Sequence, residues 1–116
     1  MIKKAKDMRR TAQEKLRGGN GTVYMTHFAD PEEVCETGRV FALATLPPGA
    51  SIGEHVHESE YEIYQMLKGT ATISDDGVPG ILEEGDAMFC YNGHRHHIEN
   101  NTNEDIQVLF LVIYCK

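Results

Sequence analysis

From residue 39 to the C-terminus, short apolar runs alternate with turn-forming residues at intervals of about ten positions. The runs are RVFALATL, EIYQMLKG, TATIS, GDAMFCY, HHIEN and IQVLFLVIY, and the breaks include Pro47-Pro48-Gly49, Asp76-Gly77 and Asn92-Gly93. Short strands at this spacing, with no segment that requires a helix, are typical of an antiparallel sandwich or barrel. The pattern therefore predicts an all-β barrel over residues 39–116.

Residues 1–38 follow a different pattern. Apolar residues first recur at intervals of three and four, at Ile2, Ala5, Met8, Ala12 and Leu16. This spacing predicts a short amphipathic helix that ends at the glycines from residue 18 onward. TVYMTHF then predicts a strand, and Asp30-Pro31-Glu32-Glu33 predicts a single helical turn with Asp30 as its N-cap. We expect residues 1–38 to form an extension of the barrel within one structural domain.

The length and composition indicate an ordinary soluble domain. The chain has 116 residues, of which 41% are hydrophobic and 25% charged, and no run approaches the roughly 18 apolar residues of a membrane span. The N-terminal MIKKAKDMRR lacks the apolar core of a secretory signal. Cys35, Cys90 and Cys115 are an odd number without CxxC spacing, which favours buried free thiols in a reducing compartment. We expect a cytoplasmic protein with no membrane partner.

The charge is distributed unevenly. Residues 1–17 contain seven Lys or Arg against Asp7 and Glu14, a balance of +5, which leaves −12 for residues 18–116 out of the net −7. An acidic body disfavours nucleic acid as a partner, because phosphate binding depends on Lys and Arg. We expect the basic segment to be solvated or docked on the acidic body.

The candidate chemistry lies in GEHVHESEYE, residues 53–62. In a strand, residues two apart point to the same face with about 6.6 Å between them. His55 and His57 can therefore both reach one ion held between their rings. Imidazole suits Fe, Zn, Cu and Ni, and Mn when a carboxylate joins it.

Glu54 precedes these histidines and Glu58, Glu60 and Glu62 follow them, and alternation limits the choice of a third ligand. Glu58 points away from the histidine face if the strand continues. Glu60 and Glu62 have the wrong parity for a continuous strand, so the chain must bend or bulge between Ser59 and Tyr61 for either to serve. Alternation leaves Glu60 and Glu62 level.

A wider pattern resembles the first motif of the cupin family. Gly49 is followed by five residues, His55-x-His57, four residues, Glu62, six residues and Gly69. After fifteen residues, the second motif of the family is matched by Gly85, Gly93, His96 and Asn100. Tyr91 stands where the family usually has proline, which affects the turn before His96. The chain is thus similar to the small single-domain cupins, of cupin 2 type and with an RmlC-like jelly roll.

The resemblance implies a double-sheet jelly-roll β-barrel that holds one divalent transition metal (Fe, Mn, Ni, Zn, Co or Cu). The implied ligands are His55, His57, Glu62 and His96. Three neutral imidazoles and one carboxylate would leave a divalent ion with a charge of +1 and, if octahedral, two open positions for a small anionic or bidentate oxygen ligand. His94 and His97 flank His96; one of them would be the ligand in its place if the turn were shifted, and otherwise they are expected at the pocket rim or the surface. The resemblance, together with outward apolar residues such as Ile63 and Leu67, also implies a homodimer.

Several other residues are candidates for the pocket or the core. Tyr64 and Met66 share the parity of Glu62 and should line the barrel interior, where the Tyr64 hydroxyl could contact a substrate. Arg39 could bind a substrate carboxylate or form a salt bridge, and His27 is expected to be a satisfied or surface histidine. Core or barrel-lining positions are expected at Met88, Phe110 and Tyr114.

Two classes of function fit these features. One is a metalloenzyme that acts on a small oxygenated metabolite by dioxygenation, decarboxylation or isomerisation. The alternative is a non-catalytic small-molecule or metal-binding module, since no general acid or base outside the four ligands can be named. A sugar-phosphate isomerase is a third hypothesis that rests on fold alone.

Overall fold

The computed structural model describes all residues from 1 to 116 and contains ten strands in two antiparallel sheets. The strands are β1 (Arg9–Glu14), β2 (Thr22–Ala29), β3 (Gly38–Leu46), β4 (Ser51–Val56), β5 (Glu60–Lys68), β6 (Ala71–Asp75), β7 (Val78–Leu82), β8 (Ala87–Cys90), β9 (Arg95–Glu99) and β10 (Ile106–Tyr114). One sheet has six strands in the order β1-β2-β3-β10-β5-β8, and the other has four in the order β4-β9-β6-β7. The predicted double-sheet jelly roll is confirmed.

Alternation along the strands places one face of each sheet in the core. On β10, which lies between β3 and β5, Ile106, Val108, Phe110 and Val112 are all at most 3% exposed. Apolar residues of the four-stranded sheet, such as Ile98, belong to the same core cluster. The core therefore lies between the sheets, where each supplies one apolar face.

The predicted N-terminal helix is wrong. The chain forms only short 3₁₀ turns at Ala5–Asp7, Leu16–Gly18 and Pro31–Val34, and the segment between the first two is strand β1. It pairs with β2 from Arg9 opposite His27 to Glu14 opposite Thr22. This pairing satisfies backbone groups of β2 that would otherwise lie at a sheet edge, and such tertiary pairing outweighs a weak helical periodicity.

The turn at residues 30–34 forms as predicted. Glu33 Oε1 accepts a hydrogen bond of 2.9 Å from the Asp30 backbone N–H, and Pro31 occupies the first position of the 3₁₀ turn. The same acidic segment receives the basic N-terminal residues, because Lys3 pairs with Glu33 and Arg9 Nη2 lies 2.9 Å from Asp30 Oδ1. The basic segment is thus docked on acidic residues of the body.

Two expectations about burial need correction. Cys90 is a buried free thiol, but Cys35 and Cys115 are exposed. Met88 and Phe110 are buried, whereas Tyr114 is 42% exposed because it is the last residue of β10, beyond the end of the core. No helical segment is long and apolar enough to span a membrane.

Candidate metal site

Four potential ligands meet between the two sheets. One donor atom from each of His55, His57, Glu62 and His96 lies within 4.8 Å of all the others. The Nε2 atom of His96 is 3.0 Å from that of His55 and 3.0 Å from that of His57. Glu62 Oε1 lies 3.0 Å from His57 Nε2 and 3.1 Å from His96 Nε2. All four side chains are at most 8% exposed.

These separations fit a metal ion. Donors that sit at right angles about 2.1 Å from an ion are about 3.0 Å apart, which is the spacing of adjacent positions in octahedral coordination. Nitrogen donors together with a carboxylate suit a divalent transition metal. The cluster is therefore able to hold such an ion.

A bulge in β4 turns the first two histidines inward. Ile52 pairs with Ile98 and His55 pairs with His96, so β4 has one residue more than β9 between these pairs. The extra residue places His55 on the same face as the buried Ile52, although they are three positions apart. Val56 is consequently 49% exposed, while His57 is 1% exposed.

The chain then bends out of one sheet and into the other. β4 ends at Val56 and β5 begins at Glu60, with Ser59 in the left-handed region at φ +61°. The expected bend is present, and it lies just before β5. It turns the side chains of both Glu60 and Glu62 into the barrel. Alternation could not decide which of these glutamates is the ligand, but in the structure they contact different atoms.

Glu62 joins the cluster, whereas Glu60 contacts the far side of a histidine ring. Glu60 Oε1 lies 2.8 Å from His57 Nδ1, and the Arg39 guanidinium donates two hydrogen bonds of 2.7 Å to the Glu60 carboxylate. Arg39 therefore forms a salt bridge. Glu58 is exposed, as alternation predicted.

Hydrogen bonds at Nδ1 orient two of the imidazoles. His57 Nδ1 donates to Glu60, and His55 Nδ1 donates to the Gly53 carbonyl at 2.8 Å. When Nδ1 carries the proton in a neutral ring, the lone pair is on Nε2, which faces the cluster in both residues. The Nδ1 atom of His96 is buried without a hydrogen-bond partner.

His96 reaches the cluster without the proline that the family usually has before it. The Tyr91 carbonyl accepts a hydrogen bond of 3.0 Å from the His94 N–H, and Gly93 has φ +86°. A glycine that adopts the left-handed conformation closes this turn in place of a rigid proline. His94 is exposed beside Asp76, and His97 faces away from the core on β9, so neither belongs to the cluster.

The protonation of the cluster is set by burial and by contacts among its members. Burial raises the pKa of Glu62, but its interactions with the surrounding His55, His57 and His96 together outweigh burial and hold that pKa well below the usual range. Burial lowers the pKa of His57, yet Glu62 and Glu60 raise it overall. For His96, burial prevails and the pKa is lowered. Glu62 is thus an anion, as a metal ligand requires.

A cavity of about 320 Å³ opens onto the cluster. The buried Tyr64 ring forms part of its wall, where it stacks on His96 with ring centroids 4.6 Å apart and places its hydroxyl 3.3 Å from His96 Nε2. Burial and the nearby Glu62 raise the pKa of Tyr64 well above its ordinary value. The hydroxyl is therefore protonated and can donate a hydrogen bond into the cavity.

Sequence reasoning missed the N-terminal part of this cavity. Gln13, Leu16 and Arg17 line it together with the cluster residues. The helical interpretation of residues 2–16 gave no reason to place them there. His27 was expected to be satisfied or at the surface; it is buried outside the cluster, with Nε2 3.1 Å from Thr11 Oγ1 and no partner at Nδ1.

The chain is thus a small double-sheet jelly-roll barrel with three histidines and a glutamate that can hold a metal ion between its sheets. The sequence model of the cupin domain family matches residues 42–114, more than half of the chain. The chain belongs to the cupin family.

Similar proteins agree with this assignment. The chain is 41% identical over 98 residues to the oxalate-binding protein of Thermotoga maritima. The aligned residues are 84% of this chain and 81% of that protein. A crystal structure of a predicted oxalate decarboxylase from Thermotoga maritima superposes with a TM-score of 0.92 and 36% identity, and it covers 98% of this chain and 99% of that one. The tetracenomycin polyketide synthase protein TcmJ of Streptomyces glaucescens is 29% identical over 105 residues, 90% of this chain and 68% of that protein.

Proposed function

We propose that this protein binds one divalent transition metal through His55, His57, Glu62 and His96 and uses it to bind a small dicarboxylate of the oxalate class. The observation that carries the proposal is the spacing of the four buried donor atoms, with three of their Nε2 and Oε1 separations at 3.0 Å. Relatives described as an oxalate-binding protein and a predicted oxalate decarboxylase support the choice of ligand.

Different residues of the chain have different roles in binding this ligand. Glu62 supplies the one negative charge of the cluster, and the three imidazoles face it with their Nε2 atoms. When bound, the metal would supply positive charge and Lewis acidity for an anionic oxygen ligand. Tyr64 can donate a hydrogen bond to a ligand oxygen in the cavity. Leu16 and Val40 are among the apolar residues of the cavity wall.

The test is metal analysis of untagged protein, compared between wild type and His96→Ala. We expect about one equivalent of metal in wild type and a trace in the variant, since removal of one of four ligands opens the site. His97→Ala is the matched control, because His97 lies on the same strand but faces away from the core. Equal trace metal in all three proteins would exclude the proposed site.

Binding of oxalate is then measured by calorimetry with metal-loaded and metal-stripped protein. We expect binding only to the loaded form. Oxalate that binds equally well to stripped protein would contradict a ligand held on the metal.

A second candidate function is catalysis on the same ligand, as a decarboxylase. The observation that favours it is the protonated Tyr64 hydroxyl, placed in the cavity beside His96. Conversion of each oxalate and one proton into one formate and one carbon dioxide by the loaded protein would establish this activity. Stoichiometric binding without turnover would leave the protein as a binding module.

We also propose that the protein is a homodimer. The outward face of the six-stranded sheet carries an apolar row across four strands, in which Phe41, Leu111, Ile63 and Phe89 pair in sequence. Leu67 and Phe89 are 47% and 45% exposed. A contiguous apolar patch on a sheet face is typical of an interface. Light scattering should give twice 13.0 kDa for wild type and 13.0 kDa for Leu111→Lys; a monomeric wild type would exclude the dimer.

A further inference from the structure

Two arginines line the cavity, and they differ in their partners. The Arg39 guanidinium is neutralised by the Glu60 carboxylate through two hydrogen bonds of 2.7 Å. Arg17 has no carboxylate oxygen within 4 Å, although Arg9, Arg39 and Arg95 each pair with one. Arg17 is therefore the cation of the cavity wall whose charge is not already matched.

The charge of the cavity can be counted from the residues that line it. Only Arg17, Arg39 and Glu62 are charged among them, apart from the histidines. Arg39 is offset by Glu60, and Glu62 reduces a divalent ion to a charge of +1. Arg17 then brings the total to +2, which complements a ligand with two negative charges.

The turn that carries Arg17 is held in an unusual conformation. Lys15 and Arg17 have φ of +50° and +55°, in the left-handed region that residues other than glycine rarely adopt. Such conformations persist where the surrounding structure imposes them, and they are concentrated at ligand-binding sites. The surrounding structure thus holds the backbone of this turn in one conformation at the cavity wall.

Backbone contacts with β4 fix the turn in place. Asn20 and Ser51 exchange two hydrogen bonds of 2.8 Å. At Gly53 a Cβ atom would lie 2.1 Å from the Arg17 carbonyl oxygen, so the two backbones meet there in direct contact. The Gly53 carbonyl in turn accepts the hydrogen bond from His55 Nδ1. The turn is thus built against the strand that orients a cluster histidine.

We infer that Arg17 is the specificity-determining residue of the cavity: its guanidinium hydrogen-bonds to a ligand carboxylate and selects dianions over monoanions of the same size. This inference rests on the proposed metal-dependent binding. A guanidinium binds a carboxylate with two parallel charge-assisted hydrogen bonds, which give both strength and orientation.

The test compares oxalate with oxamate, in which an amide replaces one carboxylate and removes one charge. Calorimetry is done on metal-loaded wild type, Arg17→Gln and Arg17→Lys, with metal content measured in parallel. We expect Arg17→Gln to bind oxalate about 10- to 100-fold more weakly, to bind oxamate with a smaller loss, and to retain its metal. Arg17→Lys should recover part of the oxalate affinity.

Arg10→Gln is the matched control, because it removes the same charge from an exposed position on β1. Equal oxalate affinity in wild type and Arg17→Gln, or an equal loss in Arg10→Gln, would overturn the role of Arg17 and leave the proposed function intact. Absence of oxalate binding by loaded wild type as well would overturn both.

Discussion

The floor and the mouth of the cavity are built in different ways. The floor consists of the four cluster residues, which are almost fully buried and come from β4, β5 and β9 or the bend between the first two. The mouth includes the turn at Arg17, which is exposed and strained and belongs to residues before the first core strand.

This difference separates two properties that a metal-binding barrel must combine. The floor determines whether an ion is held, because its donor atoms are fixed by the two sheets. We propose that the mouth determines which ligand binds to that ion, because Arg17 is a cation that lines the cavity. The two parts meet at Gly53, which contacts Arg17 on one side and His55 on the other. Substitutions in each part should therefore have separable effects.

The largest effect is expected from a change behind a floor histidine, at Glu60, which also leaves the charge of Arg39 in the cavity wall unmatched. Glu60→Gln keeps an oxygen acceptor for His57 Nδ1 but removes the charge that polarises this ring. Changes in groups that orient metal-bound histidines typically weaken metal affinity by about 10- to 100-fold. We expect a loss of that size in a competition experiment with a chelator. Glu58→Gln, which alters an exposed glutamate, should leave the metal affinity unchanged.

Much of this floor could be predicted, because the resemblance to the two cupin motifs implies His55, His57, Glu62 and His96 as ligands, and the structure brings these four residues together. The physical basis of the arrangement could not be read in the same way. A one-residue bulge in β4 places His55 on the same face as Ile52. The alternation of apolar and polar residues along the sequence does not show where such a bulge forms. Alternation alone could not choose between Glu60 and Glu62 as the ligand. In the structure, the bend before β5 places Glu60 beside His57 Nδ1 instead of in the cluster.

The position of the Arg17 turn at the mouth could not be predicted from the sequence for a different reason. Apolar residues at intervals of three and four indicated a helix over residues 2–16, but pairing with β2 converted part of this segment into a strand. Such pairing is decided by a partner distant in sequence, so local periodicity carries little information about it. The position of Arg17 follows from that strand and from the turn after it. The barrel strands were predictable because each buries one face in the core.

A smaller effect is expected at the junction of the two parts. Gly53→Ala would place a Cβ atom 2.1 Å from the Arg17 carbonyl oxygen, and a backbone atom cannot move aside as a flexible side chain can. Overpacking of this kind lowers the free energy of unfolding by about 1–3 kcal/mol, which denaturant titration would measure. Gly80→Ala is the control, since its nearest neighbour is the end of the Ile73 side chain at 3.1 Å. Equal stability of the two variants would show that the junction is not rigid.

The smallest effect is expected from Tyr64→Phe, which alters one atom between the floor and the ligand. The ring would keep its stacking on His96 and Phe110, both with centroids 4.6 Å away, so the fold and the metal affinity should be preserved. Only the hydroxyl beside His96 Nε2 is lost. One net hydrogen bond contributes about 0.5–1.5 kcal/mol, so oxalate affinity should fall about 2- to 10-fold. A larger loss, accompanied by release of metal, would mean that Tyr64 supports the floor itself and that floor and mouth are not separable at this residue.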